Sequence, residues 1–574
     1  MSPVTAPSRV ATLAAILRRW IPSLVAVFLF YTPFLAALGV ERNRYFLFWG
    51  RRDTLAVLLS ILLLSGIAAL AGTAIDRFGG RVLGGLKDVV FLSVLLLGIL
   101  ANLLPLLHVN ALLDFAREHR GAAGILLDVG SGVLAIAWVL GVWLQRERML
   151  RLARGATFIL SPLVILLLGP ALGWRSWDYP RDPIPASSGE GEPGTPIYFF
   201  VFDEWSYQRL VENDEVRPEF PNVRALKAQS LFFRTARAPA ASTHVSLPRI
   251  LFQSRDDEAL PKVFIDRKEP AEPRGPAPEH ITDEASPPGA PESLMAFARR
   301  HRYTTYLVGF YLPYPHIIGN LADVDRAYSN YPKGDGLLER MTITTLGAPQ
   351  YWFMPGISGL WKGIWARVFS WHWLRLNQRV RDDLFAIVGT APQRSLVFVH
   401  FPAPHAPFIF NADGSYRGPF PVNSGATDDV DADIMAGSAE DYHRQMPYVD
   451  RIVGQVIDRL KQAGDFDRSL VNMTADHSWR ADPAMPPGEE HRAKRHVPLL
   501  IKLPGQRTPR VLDTDLALDE LRPLIDQALH GHLGEESVQG AETLFRPDAT
   551  VESTAAGEAA RSRRAVSACC GRLP

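Results

Sequence analysis

Seven residues able to hold a metal or move a proton stand at or near the ends of short apolar runs. Asp203 and Glu204 follow IYFFVF, His400 closes SLVFVH, and His405 comes soon after in HFPAPHAPF. Asp476 and His477 follow LVNMT in TADHSW, and His496 opens HVPLLIKLPG. One acidic residue at a strand end often only caps a turn. Several strand ends carrying Asp or His together make a metal-site pattern. Carboxylate oxygens and neutral imidazole nitrogens hold a divalent metal, here zinc or manganese in preference to calcium or magnesium, with a position left open for the reacting group. Divalent charge lowers the pKa of a bound hydroxyl toward neutrality. A Ser or Thr beside such a site then becomes a candidate nucleophile without a Ser–His–Asp triad. The stretch AASTHVSLPRIL supplies Ser242, Thr243 and Ser246. Its structural alternative is equally concrete, because Ser or Thr at this place also reads as the N-cap of a following helix.

These residues converge only if the apolar runs are neighbouring strands. Runs at 197–202, 305–309, 395–400, 470–474 and 497–503 are predicted strands, and 440–462 carries Val449, Ile452, Val456, Ile457 and Leu460 at helical spacing. Alternating strands and helices predict an α/β domain with a central, mostly parallel sheet between helices. In such sheets ligands sit beyond the carboxyl ends of the strands. Residues 266–293 are Pro-rich and charged, as in a surface loop, while 351–374 hold five tryptophans. Those fit a membrane interface or a helix packed on the core equally well.

Composition divides the chain in two. Of 574 residues, nearly all long apolar runs precede Trp174, and five of them (20–40, 54–75, 89–107, 122–144 and 156–174) approach the ~20 residues needed to cross a bilayer. Basic residues are denser in the segments that an inward N-terminus would leave in the cytoplasm, so the domain after Trp174 is expected outside it. The expected organisation is a five-helix membrane domain at 1–174, a Pro/Gly/Ser-rich linker at 175–196, an α/β catalytic domain at 197–535 and a disordered tail at 536–574. Net charge of +1 offers nothing to nucleic acid. The only cysteines, Cys569 and Cys570, exclude a disulfide framework, a Cys-based zinc site and a catalytic cysteine in the body of the protein.

The motifs in this order resemble the alkaline phosphatase superfamily in its sulfatase-like branch. They are similar in particular to membrane enzymes with five N-terminal helices, such as phosphoethanolamine transferases and lipoteichoic acid synthases. FFVFDE resembles the family's first strand and metal-binding acid, which implies Asp203 as a ligand. THVSLP resembles the T-x-x-S-x-P loop, implying Thr243 as both nucleophile and ligand. TADHS is similar to T-x-D-H-G, which implies Asp476 and His477 on the same metal. PHAP and HVPLLIK resemble the H-G-P and H-V-P segments, so His405 and His496 would serve catalysis by binding the substrate's anionic group or a second metal. Glu204, His400 and Arg249 are expected around this set, supporting the ligands or contacting substrate. Sulfatases that use formylglycine carry Cys or Ser in C/S-x-P-x-R. Here Ser246-Leu-Pro-Arg brings Arg249 one position too early, and no cysteine is present.

The resemblance implies a metal-dependent phospho-group transferase, integral to the inner or plasma membrane, acting on envelope lipid or glycan phosphodiesters through a threonine. Its rivals are a sulfatase-like hydrolase with water as acceptor and a non-catalytic lipid-binding envelope protein.

Overall fold

The computed structural model describes residues 9–103, 122–174, 176–177, 194–254, 260, 292–348, 358–419, 439–486 and 488–545. The expected Pro-rich loop, most of the linker and the tail beyond 545 lie outside these. The expected tail region begins with ordered structure, a short helix at Glu535–Gln539. By compactness the described residues form two units, the first within 1–178 and 331–369, the second within 179–330, 370–420 and 434–574.

The first unit is helical. Its long helices are α1 (Arg9–Gly39), α2 (Arg51–Phe78), α3 (Gly80–Leu103) and α4 (Ala122–Leu172). Among the described residues three segments, Trp20–Gly39, Arg51–Phe78 and Ala137–Leu172, are long and apolar enough to cross a membrane. Five spans were expected; the expected third, 89–107, ends outside the described residues. The segments expected as a fourth and fifth span lie on the single 51-residue α4. The charged stretch between them, QRERMLRLARG, had the look of a loop but consists of good helix formers up to a single closing glycine, Gly155, which does not break the helix. At 1.5 Å per residue such a helix is roughly 76 Å long, more than twice a bilayer's hydrocarbon core.

Residues 331–369 come from the middle of the α/β sequence yet belong to this helical unit. Helix α5 (Leu337–Gly347) lies on α2. Tyr31 and Thr345 share a 2.7 Å hydrogen bond, and buried Asp53 is paired with Lys333 at 3.0 Å and with Arg340. Trp365, from the tryptophan-rich stretch, is buried in the unit's core, so here the helix-packing reading holds.

The second unit is built on an eight-stranded sheet: β1 (Ile197–Phe202), β2 (Leu231–Phe233), β3 (Thr304–Phe310), β4 (Val324–Tyr328), β5 (Ser395–Phe401), β6 (Leu470–Ala475), β7 (Leu499–Lys502) and β8 (Arg510–Leu512). Their order is β8-β2-β7-β6-β1-β5-β3-β4. Only β7 runs against its neighbours; every other pairing is parallel. All six residues of β1 and all seven of β5 are buried, as expected of central strands covered on both faces. On helix Ala439–Gln462 the residues Val449, Ile452, Val453, Val456 and Leu460 are fully buried at helical spacing.

Candidate active site

Strand order brings the site together. β1 lies between β5 and β6, with Phe202 level with both Phe401 and Ala475. Asp203 and Asp476 are the residues just beyond two adjacent strand ends, and His400, level with Val201, is one step back on the third. A fourth element is the helix Thr243–Phe252, whose N-cap is Ser242, with extended backbone and no side-chain capping bond. Thr243 is therefore the first helical residue. Its hydroxyl does not cap the helix but stands 3.2 Å from His477 Nε2. One turn on, Ser246 donates to the carbonyl of Asp476 at 2.6 Å, tying the helix to the strand end.

The donor set fits a divalent cation. Ligand atoms of Asp203, His400 and Asp476 lie within 4.8 Å of one another, and all three residues are buried. Asp203 Oδ1, Glu204 Oε2, His400 Nε2 and Asp476 Oδ2 are buried polar atoms without a hydrogen-bond partner. Leaving one such atom unsatisfied costs roughly 1–3 kcal/mol, so the three on the grouped Asp203, His400 and Asp476 call for a common partner. His477 adds a second sign. Its Nδ1 is 2.9 Å from the Ser478 carbonyl, which can only accept, so Nδ1 carries the proton and Nε2 presents a lone pair. That lone pair faces Asp476 Oδ2 at 3.2 Å and Asp203 Oδ1 at 4.0 Å. Two acceptors held face to face repel unless a cation stands between them.

The electrostatics agree. Burial, reinforced by the charge of Asp476, pushes the Asp203 carboxyl well above its usual range. Asp476 is also penalised by burial, but His477, His400 and the Thr243 hydroxyl outweigh this and hold it below the usual value. Burial lowers His400 to about 4 against the opposing pull of Asp476, and it lowers His477 too. Both imidazoles are thereby kept in the neutral form that binds metals. Glu204 would be raised by burial, yet His405 and Arg480 hold it low. Its backbone is left-handed (φ 61°), an uncommon state for Glu, and lets its N–H donate to Asp476 Oδ1 at 3.1 Å while Oε1 accepts from Arg480 Nε at 2.8 Å.

Of the residues singled out in the sequence, Asp203, Glu204, Thr243, His400, Asp476 and His477 meet here. His405 joins through Arg480, whose Nη2 is 3.2 Å from His405 Nε2, and Trp373 lies beside its ring. His496 takes other partners. Its Nε2 bonds the Arg234 carbonyl at 2.7 Å and its ring stacks on Tyr207. Arg249 donates to the Pro239 carbonyl at 2.9 Å. Sequence reasoning passed over Tyr314, whose hydroxyl is 2.8 Å from His400 Nδ1 and orients that ring. Its signal was positional: it follows β3, a strand end to which no functional residue had been assigned.

A mostly parallel sheet carrying a buried Asp–His–Asp group at its strand ends defines an α/β domain with a candidate divalent-metal site. A family model described as Sulfatase matches residues 197–530. The chain belongs to the sulfatase family, a class of ester-hydrolysing enzymes. An endo-4-O-sulfatase from Bacteroides thetaiotaomicron is 30% identical over 95 residues, covering 16% of this chain and 18% of that enzyme. The phosphonate monoester hydrolase of Agrobacterium radiobacter covers 58% of this chain and 74% of its own at 16% identity and a TM-score of 0.34. A lipoteichoic acid synthase from Listeria monocytogenes covers 59% and 72% at 12% identity and a TM-score of 0.33.

Proposed function

We propose that the protein is a membrane-anchored, metal-dependent enzyme that transfers a phospho-group from an envelope lipid or glycan ester through Thr243. The observation that carries this reading is the Thr243 hydroxyl beside His477 Nε2, at the edge of a group of orphaned buried ligand atoms. Asp203, His400, Asp476 and His477 would hold the cation, with Thr243 Oγ1 at its open position. Mixed oxygen and nitrogen donors suit zinc or manganese better than calcium or magnesium. Such a cation, when bound, favours the ionised form of a hydroxyl it touches and draws charge from the transferred group.

The protein's own residues do the rest. Thr243 Oγ1 loses its proton to solvent and attacks phosphorus. A P–Oγ bond forms as the ester P–O bond breaks, and the leaving oxygen takes a proton. Arg480 and His405, linked to each other, stand ready to bear charge on the transferred oxygens. A water or an acceptor hydroxyl then attacks phosphorus, breaks the P–Oγ bond and restores Thr243. Position at the first turn of a helix favours the developing negative charge. The apolar N-terminal helices would anchor the domain, in a topology that places it outside the cytoplasm.

Sulfate-ester hydrolysis is the second reading, favoured by the family and by the endo-4-O-sulfatase match. Against it, formylglycine has no precursor at Thr243, and Ser246 spends its hydroxyl on the Asp476 carbonyl. One experiment separates the two. Full-length protein in detergent is incubated with envelope lipids and Zn²⁺ or Mn²⁺, and the tryptic peptide 238–249 is fragmented in a mass spectrometer. A phospho, phosphoethanolamine or phosphoglycerol adduct on Thr243 is expected. Turnover with a peptide that stays bare, even after rapid acid quench, would remove Thr243 from the scheme.

A further inference from the structure

We infer that the α/β unit carries a second divalent-metal site, built by His301, Asp526 and His530 at the opposite end of the sheet from Thr243. Ligand atoms of these three residues lie within 4.8 Å of one another. Two of them share a helix, Arg522–Leu529, where Asp526 and its C-cap His530 are one turn apart and His530 Nδ1 is 3.5 Å from Asp526 Oδ1. That pair alone is an ordinary surface Asp–His contact. The third residue makes the difference. His301 comes from another element, as the C-cap of helix Leu294–Arg300, and its ring meets that of His530 edge to face at 4.8 Å.

Both imidazoles are set as metal-binding imidazoles are. His301 Nδ1 is 2.9 Å from the Phe297 carbonyl, and His530 Nδ1 is 2.9 Å from the Asp526 carbonyl. A carbonyl can only accept, so in the neutral form of each ring Nδ1 carries the proton and Nε2 keeps its lone pair. Metal-ligating histidines typically donate their other N–H to a carbonyl or carboxylate in this way, which fixes the ring and raises the ligand's basicity. Two imidazole nitrogens and one carboxylate, with solvent for a fourth position, form a set suited to Zn²⁺, Co²⁺ or Ni²⁺ rather than Ca²⁺ or Mg²⁺.

The frame holding them exists without the metal. Arg522 lies over the Phe297 ring at 3.7 Å and pairs with Glu292 at 3.2 Å, while the Tyr303 hydroxyl reaches the Leu529 carbonyl at 3.4 Å. His301 lies three residues before β3 begins, whereas the catalytic group lies beyond the far ends of the parallel strands. A seven-residue strand puts roughly 20 Å between those ends, so this site does not share the catalytic metal. Its role is to pin helix Arg522–Leu529 to the connection that leads into β3. A domain whose sequence offers no disulfide gains a cross-link between segments more than 200 residues apart.

The test uses full-length protein in detergent, stripped with chelator, dialysed against limiting Zn²⁺ and assayed for bound metal and melting temperature. The His301→Asn/His530→Asn double variant should bind one Zn²⁺ fewer than the wild type and lose part of the Zn²⁺-dependent rise in melting temperature. Asp526→Asn should weaken that same binding about 10- to 100-fold. Substituting Co²⁺ should give visible d–d absorption that falls by a separable component in the double variant. Ester-cleaving activity with saturating metal should be unchanged, which also shows that the variants fold. Equal metal content and equal Co²⁺ spectra in wild type and double variant would overturn the assignment.

Discussion

The α/β unit holds two groups of Asp and His that differ in almost every physical respect. At Asp203, His400 and Asp476 the side chains are wholly enclosed, and four polar atoms there and on Glu204 lack partners. At His301, Asp526 and His530 the side chains are partly open to solvent, and each ring has one nitrogen satisfied by its own helix. The enclosed group is costly without a cation, because two carboxylates and two neutral imidazoles face each other out of water. The open group costs little, since solvent takes the cation's place. Metal binding at the first should therefore govern chemistry and stability together, and at the second stability alone.

The widest contrast is in turnover. Thr243→Ala should reduce it by at least about 10³-fold while metal content stays the same. Removal of the Thr243 hydroxyl with turnover preserved would dissolve the contrast between the two groups as far as chemistry is concerned. Next comes the ion pair beside the enclosed group. Arg480→Met leaves the fully buried Glu204 with only His405 to offset its charge and should destabilise the unit by roughly 1–3 kcal/mol. Adding Glu204→Gln should recover most of that, as read by denaturant melts of the two single variants and the double. If the second change recovers nothing, Glu204 is held by something other than Arg480.

A smaller effect with a less familiar sign follows from the raised pKa of Asp203. In metal-free protein, Asp203→Asn removes one of two repelling buried carboxylates. It should raise the melting temperature of the stripped protein by a few degrees, on the order of 1–2 kcal/mol, while abolishing the rise that Zn²⁺ gives the wild type. Asp526→Asn, in the open group, should leave the stripped protein within about 0.5 kcal/mol of wild type. Equal responses of the two variants would mean that burial is not what separates the groups.

Much of this arrangement was legible in the sequence. The runs IYFFVF, SLVFVH and LVNMT were apolar enough to read as buried strands, and Asp203, His400 and Asp476 stood at their ends. What could not be read was strand order. His400 was expected only as a supporting residue, because nothing local shows that β5 lies directly beside β1, where His400 and Asp203 approach to 3.5 Å. Short or unevenly patterned strands were missed for a related reason. β2 and β8 have three residues each, too few for any period, and β4 (VDRAY) carries two charges. The insertion at 331–369 could not be assigned to the helical unit, since its partners Tyr31 and Asp53 lie some 300 residues earlier. Tyr314 was passed over because an aromatic after a strand ordinarily reads as core. Only its 2.8 Å approach to His400 shows otherwise.

Asp325 tests whether burial alone accounts for the cost ascribed to the enclosed group. It lies on β4, and both its carboxylate oxygens are buried without a partner, yet it belongs to no ligand cluster among the described residues. Burial raises its carboxyl to about 7, against a weaker opposing pull from Arg326. Because the folded value lies above the unfolded one, the carboxyl favours the fold only while protonated. Its contribution is complete below the ordinary carboxylate range near pH 4 and is lost as pH rises through about 7. Asp325→Asn cannot ionise. Its melting temperature should therefore match wild type near pH 4, pull ahead between pH 4 and 7, and hold a constant lead above that, worth about 4 kcal/mol. Melting curves of both proteins at pH 4, 5.5, 7 and 8.5 read the effect directly. A lead that does not change with pH would show that Asp325 stays ionised in the fold. The cost of the enclosed group would then have to come from the repulsion between Asp203 and Asp476, not from their removal from water.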